Sequence, residues 1–291
     1  MEEILEGKTL AKQIKASLQE RAYNFYKKTG RHASLIGFGW KGDAAGFYYL
    51  NKEVEAARKT GIDADIVLLE ESTKPKQLFT LLEAVFQKSN TIDALLIARP
   101  LPPQLNNLDI AANINPAQDI DGSGLISMGR LFMCKTWQDI ENLQTFIPCC
   151  PKAVIRLLDY HKINLEGKKI AVIGRSNTVG SPLAKMLTAK NAVVTLCHTK
   201  TKDLKEITLS SDIVVSAAGK INLIKKDFVK KGTILIDVAT VVNEAGKCVG
   251  DMDFDNLKDF CPISPVPGGV GPVTLACLLE NIIISAERKI K

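Results

Sequence analysis

The chain has 291 residues, 46% of them hydrophobic and 24% charged, which is the composition of a soluble globular protein with a sizeable core. Its formal net charge is +6, but the lysines are scattered and no basic run is interleaved with aromatic residues, so we expect no nucleic-acid partner. No apolar run reaches about 18 residues, so we expect no membrane span or membrane partner.

The first residues and the cysteines favour a cytoplasmic protein. Met1–Ile4 lack the basic and apolar regions of a signal peptide. The seven cysteines have no metal-type spacing, and we expect free thiols in a reducing compartment. The three histidines form no ligand pattern either, so no metal site is predicted.

In the first half of the chain, predicted helices and strands alternate. An amphipathic helix at residues 8–29 ends at Gly30, a typical stop signal. The elements that follow are a strand at 35–40, a helix at 46–60, a strand at 65–69, a helix at 75–89 and a strand at 94–98. Such alternation is typical of βαβ units, whose strands form a parallel sheet.

Two polar loops follow the last of these strands. Residues 99–103 leave its carboxyl end, and this edge is where open α/β sheets bind ligands. Residues 119–124 form the second loop, which turn chemistry alone would explain.

The second half of the chain repeats the alternation. A helix at 151–161 leads into a strand at 170–173, and the further predicted strands are at 192–197, 212–216 and 233–237. Residues 265–272 are too rich in Pro and Gly for regular structure, and a last helix is predicted at 273–288. Two α/β domains flanking a cleft are the simplest architecture.

The strand, turn and helix at residues 168–187 predict an anion site. Gly174 ends the strand, and Gly180 lies at the start of the helix. The unpaired amides of a first helical turn, together with the helix dipole, favour a phosphate there. Ser176 replaces the middle glycine of the usual dinucleotide fingerprint, and the last glycine is displaced by one residue. An ordinary strand-to-helix turn is the alternative interpretation.

The end of the following strand indicates the cofactor. A site for NAD would place Asp or Glu there to bind the ribose hydroxyls. Here Thr199 and Lys200 follow the strand, and Arg175 is nearby in the turn, so we predict NADP. The predicted cofactor-binding residues are Gly174, Arg175, Ser176, Val179, Gly180, Thr199 and Lys200.

Several segments resemble the bifunctional methylenetetrahydrofolate dehydrogenase/methenyltetrahydrofolate cyclohydrolase family. They are Glu6–Lys8, Pro100–Pro102, Asp119–Gly122, Val172–Pro182 and Pro265–Pro272. The similarity extends over nearly the whole chain, and the motifs Gly-Arg-Ser-x-x-Val-Gly and Pro-Gly-Gly-Val-Gly-Pro are long and specific.

The resemblance implies a homodimer whose subunits each have two α/β domains. A pteridine-binding catalytic domain is expected at residues 1–146, completed by the C-terminal helix at 273–291. A Rossmann-type NADP-binding domain is expected at 147–272. A tetrahydrofolate derivative then binds in the cleft and faces the nicotinamide of NADP. The substrate-binding residues implied are Tyr49, Pro100, Leu101, Asp121, Pro267, Gly268 and Gly269.

The family's catalytic motif, Ser-x-x-Tyr-x-x-x-Lys, is altered in this chain. We aligned it without gaps between the strand at 35–40 and Gly61. Tyr49 then occupies the tyrosine position, Gly46 the serine position and Glu53 the lysine position.

A gapped alignment pairs Tyr48 with Lys52 instead, so Lys52 is the alternative catalytic residue. The family's glutamine, which hydrogen-bonds the lysine, is Ala98 here. Asp121, which matches the pteridine-binding aspartate, is kept.

These differences predict different outcomes for the family's two activities. Hydride loss from the methylene carbon needs no proton transfer, so positioning and the cofactor suffice. Hydrolysis of the methenyl product needs an acid/base group, and a lysine serves only if its pKa is depressed. Glu53 is either a replacement base in an unfavourable charge arrangement beside Asp121, or merely solvated.

We therefore expect NADP-dependent oxidation of 5,10-methylenetetrahydrofolate to 5,10-methenyltetrahydrofolate, with the cyclohydrolase activity weakened or lost. Two alternatives remain: a non-catalytic folate- or nucleotide-binding paralogue, and a dehydrogenase that acts on another one-carbon carrier.

Overall fold

Two parallel sheets organise the chain. The computed structural model describes residues 3–105 and 110–290, so Met1, Glu2 and Lys291, which the predicted domains include, lie outside the described residues. A three-stranded unit comprises Gln13–Gly129, Gln144–Ile147 and Leu278–Lys291. A four-stranded unit comprises Met1–Lys12, Arg130–Leu143 and Pro148–Cys277. The domain boundaries expected from the resemblance stay a prediction.

The predicted alternation is present in both halves. The first half of the chain forms α1 (Lys8–Thr29), β1 (Ala33–Trp40), α2 (Ala44–Lys59), β2 (Ile62–Leu69), α3 (Pro75–Gln87), β3 (Ala94–Ile97) and α4 (Leu125–Met133). The second half forms α5 (Trp137–Glu141), α6 (Cys149–Tyr160), β4 (Lys169–Ile173), α7 (Gly180–Ala189), β5 (Val193–Cys197), α8 (Leu204–Leu209), β6 (Ile213–Ser216), β7 (Ile234–Asp237), β8 (Val241–Val242), β9 (Cys248–Val249), α9 (Phe254–Leu257) and α10 (Val270–Arg288).

The three-stranded sheet has the order β2-β1-β3, with all strands parallel. Two glycines of β1 let α2 approach the sheet closely, because Leu50 packs against the positions where Gly37 and Gly39 lack a Cβ. Leu50 is fully buried, so the rotation of α2 about its axis is set by this contact. The residues on either side of Leu50 therefore have defined directions.

The C-terminal part of α10 holds the loops of the same unit. Asn281 donates to the carbonyl of Ile120 at 2.7 Å, and Ser285 donates to the carbonyl of Asp93 at 2.6 Å. Asp93 is fully buried and also pairs with Arg31 at 2.7 Å. The loop that carries Asp121 is thus tied to a buried helix.

The four-stranded sheet has the parallel order β5-β4-β6-β7. Its register pairs Ile173 with Cys197 on one side and with Ser216 on the other, and Ser216 pairs with Asp237. The carboxyl ends of all four strands are therefore level, so the loops that follow them share one edge. The two-domain α/β fold class, with a dinucleotide-type second sheet, is confirmed.

One predicted loop is wrong at its end. Residues 265–272 were expected to be irregular, but α10 begins at Val270 and includes Gly271 and Pro272. Pro is tolerated in a first helical turn because its missing N–H has no intrahelical acceptor there. Among the described helices, α10 is long and apolar enough to cross a membrane by composition, but 61% of that window is buried, as in a core helix.

Candidate functional site

The predicted anion site is a tight turn between β4 and α7. Gly174 has a φ of +115°, and a Cβ there would collide with the carbonyl of Ala217. A Cβ on Gly180 would collide with the carbonyl of Gly174 itself. The two glycines thus let α7 begin directly against the end of β4, which is the geometry that brings a helix N-terminus to a pyrophosphate.

Ser176 shapes this turn from within. Its hydroxyl accepts the N–H of Val179 at 3.1 Å, and its carbonyl accepts the N–H of Ser181 at 3.0 Å. The Ser181 hydroxyl donates to the carbonyl of Arg175 at 3.1 Å. The serine that replaces the middle glycine of the fingerprint therefore holds the turn that leads into α7.

The neighbouring strand end is cationic and polar. Gly174 donates its N–H to the carbonyl of Cys197 at 2.9 Å, so the residues that follow β4 and β5 lie side by side. Arg175, Thr199 and Lys200 are exposed at this edge. No acidic residue occurs between His198 and Lys202. This donor set fits the extra phosphate of NADP, since a carboxylate that would bind ribose hydroxyls is missing from that stretch.

Two buried carboxylates, which the sequence analysis missed, hold the loop after β6 at the same edge. Asp251 accepts the Ser216 hydroxyl at 2.6 Å and the N–H of Lys220 at 2.6 Å. Asp237 accepts the N–H of Met252 at 2.8 Å and that of Asp251 at 3.1 Å. Burial, and then the charge of Asp251, raises the pKa of Asp237 to about 7. Nothing local in the sequence distinguishes these aspartates from surface residues.

Two motifs far apart in the chain meet in the four-stranded unit. The Gly7 N–H donates to the carbonyl of Gly268 at 2.9 Å, and a Cβ on Gly7 would collide with the carbonyl of Gly269. Gly268 has a φ of +118° and lies beside the side chain of Lys8. Pro267 is exposed, whereas Gly268 and Gly269 are buried. The segments 6–8 and 267–269 therefore pack directly against each other.

In the three-stranded unit, α2 presents the catalytic candidates. Asp43 caps the helix by accepting the N–H of Gly46 at 2.8 Å. Tyr49 is 42% exposed, and Glu53, one turn later, is half-buried. Since Leu50 fixes the helix rotation, Tyr49 and Glu53 lie along one side of it.

The alternative pair, Tyr48 and Lys52, lies on the exposed side of α2. Tyr48 is 58% exposed, and the side chain of Lys52 is 54% exposed. The Lys52 ammonium lies 3.2 Å from Glu55 and 5.6 Å from the centre of the Tyr48 ring. Lys52 is thus part of an exposed ion pair on the surface of α2. The choice between the two alignments stays a prediction, in which the ungapped one places Glu53 on the less exposed side of α2.

Asp121 lies in a loop that the neighbouring aspartate shapes. Asp119 is buried and accepts the N–H groups of Ser123 at 3.0 Å and Gly124 at 2.9 Å. Asp121 is only half-buried, and its position follows from Ile120, whose carbonyl is held by α10. The two aspartates of the Asp-Ile-Asp-Gly motif thus have different tasks.

Glu53 and Asp121 act on each other electrostatically. Burial raises the pKa of Glu53 to about 7, and the negative charge of Asp121 adds to the increase. At a pH near 7 Glu53 is therefore about half protonated, whereas an exposed glutamate would be ionised. The charge arrangement that the sequence analysis judged unfavourable is relieved by protonation.

The end of β3 contributes the other predicted residues of this unit. The Ala98 N–H donates to the carbonyl of Phe38 at 2.9 Å, and the carbonyl of Arg99 lies 3.0 Å from where a Cβ of Gly46 would be. Residues 98–99 thus pack beside the start of α2. Pro100 is exposed, but Leu101 is fully buried in the hydrophobic core. The Leu101 side chain therefore packs in the core, and a contact of residue 101 with the substrate stays a prediction.

Glu53 gives a stability prediction with a definite sign. Because the folded chain binds this proton more tightly than the unfolded chain, Glu53 costs stability increasingly as the pH rises from about 4.5 to about 7. Relative to the native chain, the free energy of unfolding of Glu53→Gln should therefore increase by about 2 kcal/mol when the pH is raised from 5 to 8. Urea unfolding at both pH values measures this difference.

Glu55→Gln is the matched control on the same helix. Lys59 and Lys52 lower the pKa of Glu55 through hydrogen bonds. The substitution should therefore not increase the free energy of unfolding at the higher pH. A Glu53→Gln variant whose advantage does not change with pH would contradict the burial of Glu53.

The fold and these groups define a class: a two-domain α/β protein with one dinucleotide-binding domain and a second domain that carries a carboxylate pair. Among residues 3–105 and 110–290, no cluster of His, Cys, Asp or Glu could hold a metal ion. Comparison with known proteins makes the class specific.

Two family models match the chain. The catalytic domain of tetrahydrofolate dehydrogenase/cyclohydrolase matches residues 5–121, and its NAD(P)-binding domain matches residues 148–290. The "Bifunctional protein FolD" of Elusimicrobium minutum is 49% identical over 288 residues, covering 99% of this chain and 100% of that protein. This chain belongs to the tetrahydrofolate dehydrogenase/cyclohydrolase family.

Solved structures agree. The bifunctional enzyme FolD, a methylenetetrahydrofolate dehydrogenase/cyclohydrolase from Campylobacter jejuni, has 35% identity and a TM-score of 0.91, with 99% of each chain covered. The Trypanosoma brucei enzyme, complexed with NADP cofactor and an inhibitor, has 29% identity and a TM-score of 0.91, covering 100% of this chain and 99% of that one. The predicted family is confirmed.

Proposed function

We propose that this protein oxidises 5,10-methylenetetrahydrofolate to 5,10-methenyltetrahydrofolate with NADP. The observation that carries the proposal is the turn at Gly174–Gly180, whose glycines admit a dinucleotide and whose flanking residues are cationic. Family membership supports the folate substrate. When bound, NADP supplies the acceptor for the hydride.

The residues of the chain bind and orient the reactants. Gly174, Ser176 and Gly180 would hold the pyrophosphate at the start of α7, and Arg175 with Lys200 would hold the additional phosphate. Asp121 is suited to accept hydrogen bonds from the pteridine, because a carboxylate accepts on both oxygens. Tyr49 lies one helical turn before Glu53 and provides a ring against which a pteridine can pack. Orientation is sufficient for hydride loss, which moves no proton.

We also propose that hydrolysis of methenyltetrahydrofolate is slower in this protein than in relatives that have the lysine. The lysine position is Glu53 and the glutamine position is Ala98. A carboxylate thus replaces the family's acid/base pair, and a full loss of acid/base catalysis, which costs about 10²- to 10⁴-fold in rate, sets the upper limit of the decrease. Methenyltetrahydrofolate is therefore expected to accumulate during oxidation.

Absorbance assays test this function. The purified chain is given 5,10-methylenetetrahydrofolate and NADP, and formation of NADPH and of the methenyl product is followed separately. NADPH formation is expected together with accumulation of the methenyl product. Binding of NADP and folate without turnover would instead identify a non-catalytic paralogue, and turnover only with another reduced pterin would identify a different one-carbon carrier.

The cofactor preference gives a further prediction. We expect NADP to be preferred to NAD, and Arg175→Ala to reduce that preference about tenfold, because one ion pair to the additional phosphate is lost. The ratio of kcat/KM for the two cofactors measures the effect. Lys168→Ala removes an exposed charge from the opposite end of β4 and serves as the control. Equal use of both cofactors by the native chain would contradict the assignment.

The proposal also includes a homodimeric assembly and a cytoplasmic location. The resemblance supports a homodimer, so light scattering should give about twice the chain mass of 31.8 kDa. All seven cysteines are free thiols, which supports a reducing cytoplasmic environment. A monomer at micromolar concentration would contradict the dimer.

A further inference from the structure

We propose that Glu53 is the proton carrier for the hydrolysis of the methenyl group in this protein. It takes the place of an amine and works with Asp121. The inference depends on the proposed function, because it concerns the second reaction on the same folate.

The position of Glu53 on α2 supports this role. Glu53 lies one turn after Tyr49 on a helix whose rotation is set by buried Leu50. Its side chain is half-buried, and the charge of Asp121 contributes to its raised pKa. A merely solvated glutamate would be exposed, as Glu55 on the same helix is. The partial burial of Glu53 favours a role in the site over that of a solvated surface residue.

Several other charged groups around α2 have partners of their own. Lys52 pairs with Glu55 at 3.2 Å on the exposed side, and Arg58 pairs with Asp65 of β2 at 3.1 Å. Asp119, in the loop of Asp121, is committed to the backbone N–H groups of residues 123 and 124.

Three more ionisable groups belong to the surroundings of α2. Asp43 caps the helix start. Arg99, after β3, has its pKa lowered by burial, but an arginine stays protonated and cannot accept a proton. Asp121 is the charge that acts on Glu53. Glu53 combines partial burial with a pKa near neutral pH, as proton exchange at that pH requires.

The negative charge of the carboxylates is complementary to the positive charge of the methenyl compound. The methenyl compound carries a positive charge shared by its one-carbon unit and the two adjacent nitrogens. With Glu53 ionised, the carboxylates of Glu53 and Asp121 together are negatively charged, which favours binding of that cation. A protonated lysine at the same position would repel it.

The chemistry balances with one proton carrier. The water oxygen forms a bond to the methenyl carbon while the Glu53 carboxylate takes a proton from the water, and the carbon–nitrogen double-bond pair moves to nitrogen. Glu53 then gives that proton to the leaving nitrogen, the carbon–nitrogen bond breaks, and the hydroxyl proton goes to solvent. One formyl group forms, one proton is released, and Glu53 returns to its ionised form.

The test supplies methenyltetrahydrofolate directly and follows its decay with and without protein, in a buffer in which spontaneous hydrolysis is slow. For the native chain we expect hydrolysis above the buffer rate, with kcat rising through about pH 7 as Glu53 ionises. Glu53→Gln should lower hydrolysis by about 10²-fold and remove the rise with pH. Glu53→Asp should restore part of the rate. The dehydrogenase kcat should change much less, since that step moves no proton.

Glu55→Gln, an exposed carboxylate on the same helix, is the matched control and should leave both rates unchanged. The proposal is overturned if the native chain hydrolyses no faster than buffer, or if Glu53→Gln keeps the rate and the pH profile. Loss of hydrolysis in Lys52→Met, with Glu53→Gln unaffected, would assign the proton transfer to the lysine instead. Because the methenyl compound is supplied, these outcomes are separate from a failure of NADP-dependent oxidation.

Discussion

A Gly180→Ala variant is expected to lose NADP binding. The added Cβ would collide with the carbonyl of Gly174. Because this neighbour is backbone at the end of a buried strand, the turn or the start of α7 must shift. We expect an affinity loss of about 100-fold or more, together with a destabilisation of about 1–3 kcal/mol. Isothermal titration with NADP and urea unfolding measure the two effects.

Gly129→Ala provides the control for Gly180→Ala. Gly129 is a helical glycine of α4 whose added Cβ would meet no atom within 4 Å. NADP binding should be unchanged, and stability should rise by up to about 1 kcal/mol from the higher helix propensity of alanine. Unaltered NADP affinity in Gly180→Ala would show that the cofactor does not depend on this turn.

An Asp121→Ala variant is expected to lose folate turnover while it still binds NADP. Removal of the carboxylate deletes charge-assisted hydrogen bonds to the pteridine, and each of these contributes about 1.5–3 kcal/mol. We expect kcat/KM for methylenetetrahydrofolate to fall by at least about 100-fold. NADP titration and circular dichroism show whether the four-stranded unit is intact.

The same substitution has a second consequence, for Glu53. Since the charge of Asp121 is one of two causes of the raised Glu53 pKa, its removal lowers that pKa, although burial keeps it above the ordinary value. The stability gain of Glu53→Gln should therefore be smaller in the Asp121→Ala background. Asp63→Ala, an exposed aspartate of β2, is the control and should leave turnover unchanged. Normal kinetics in Asp121→Ala would make Asp121 a turn residue.

Much of this fold could be predicted from the sequence because the deciding interactions are local. The apolar run at 170–173, the glycines of the turn and the periodic residues of α7 lie within about twenty positions, and strand, turn and helix are selected at that range. The cationic residues after β5 could likewise be located, since parallel strands bring their carboxyl ends to one edge. The family motifs added Tyr49 and Asp121 as candidates.

The tertiary structure decided what burial and long-range neighbours control. The sequence could not show which side of α2 is exposed. Packing of Leu50 against two glycines of β1 leaves Lys52 exposed and Glu53 half-buried. The sequence likewise did not show that the Leu101 side chain is enclosed by the core.

The raised pKa values show the physical reason most clearly. Glu53 acquires a pKa of about 7 because it is desolvated and lies near the charge of Asp121, a residue distant in the chain. Asp237 acquires a similar value from burial and from Asp251. Desolvation and Coulomb energies depend on all surrounding atoms, whichever part of the chain supplies them. Sequence patterns therefore predict the elements and their ends, whereas the protonation state of the carboxylates depends on the folded chain.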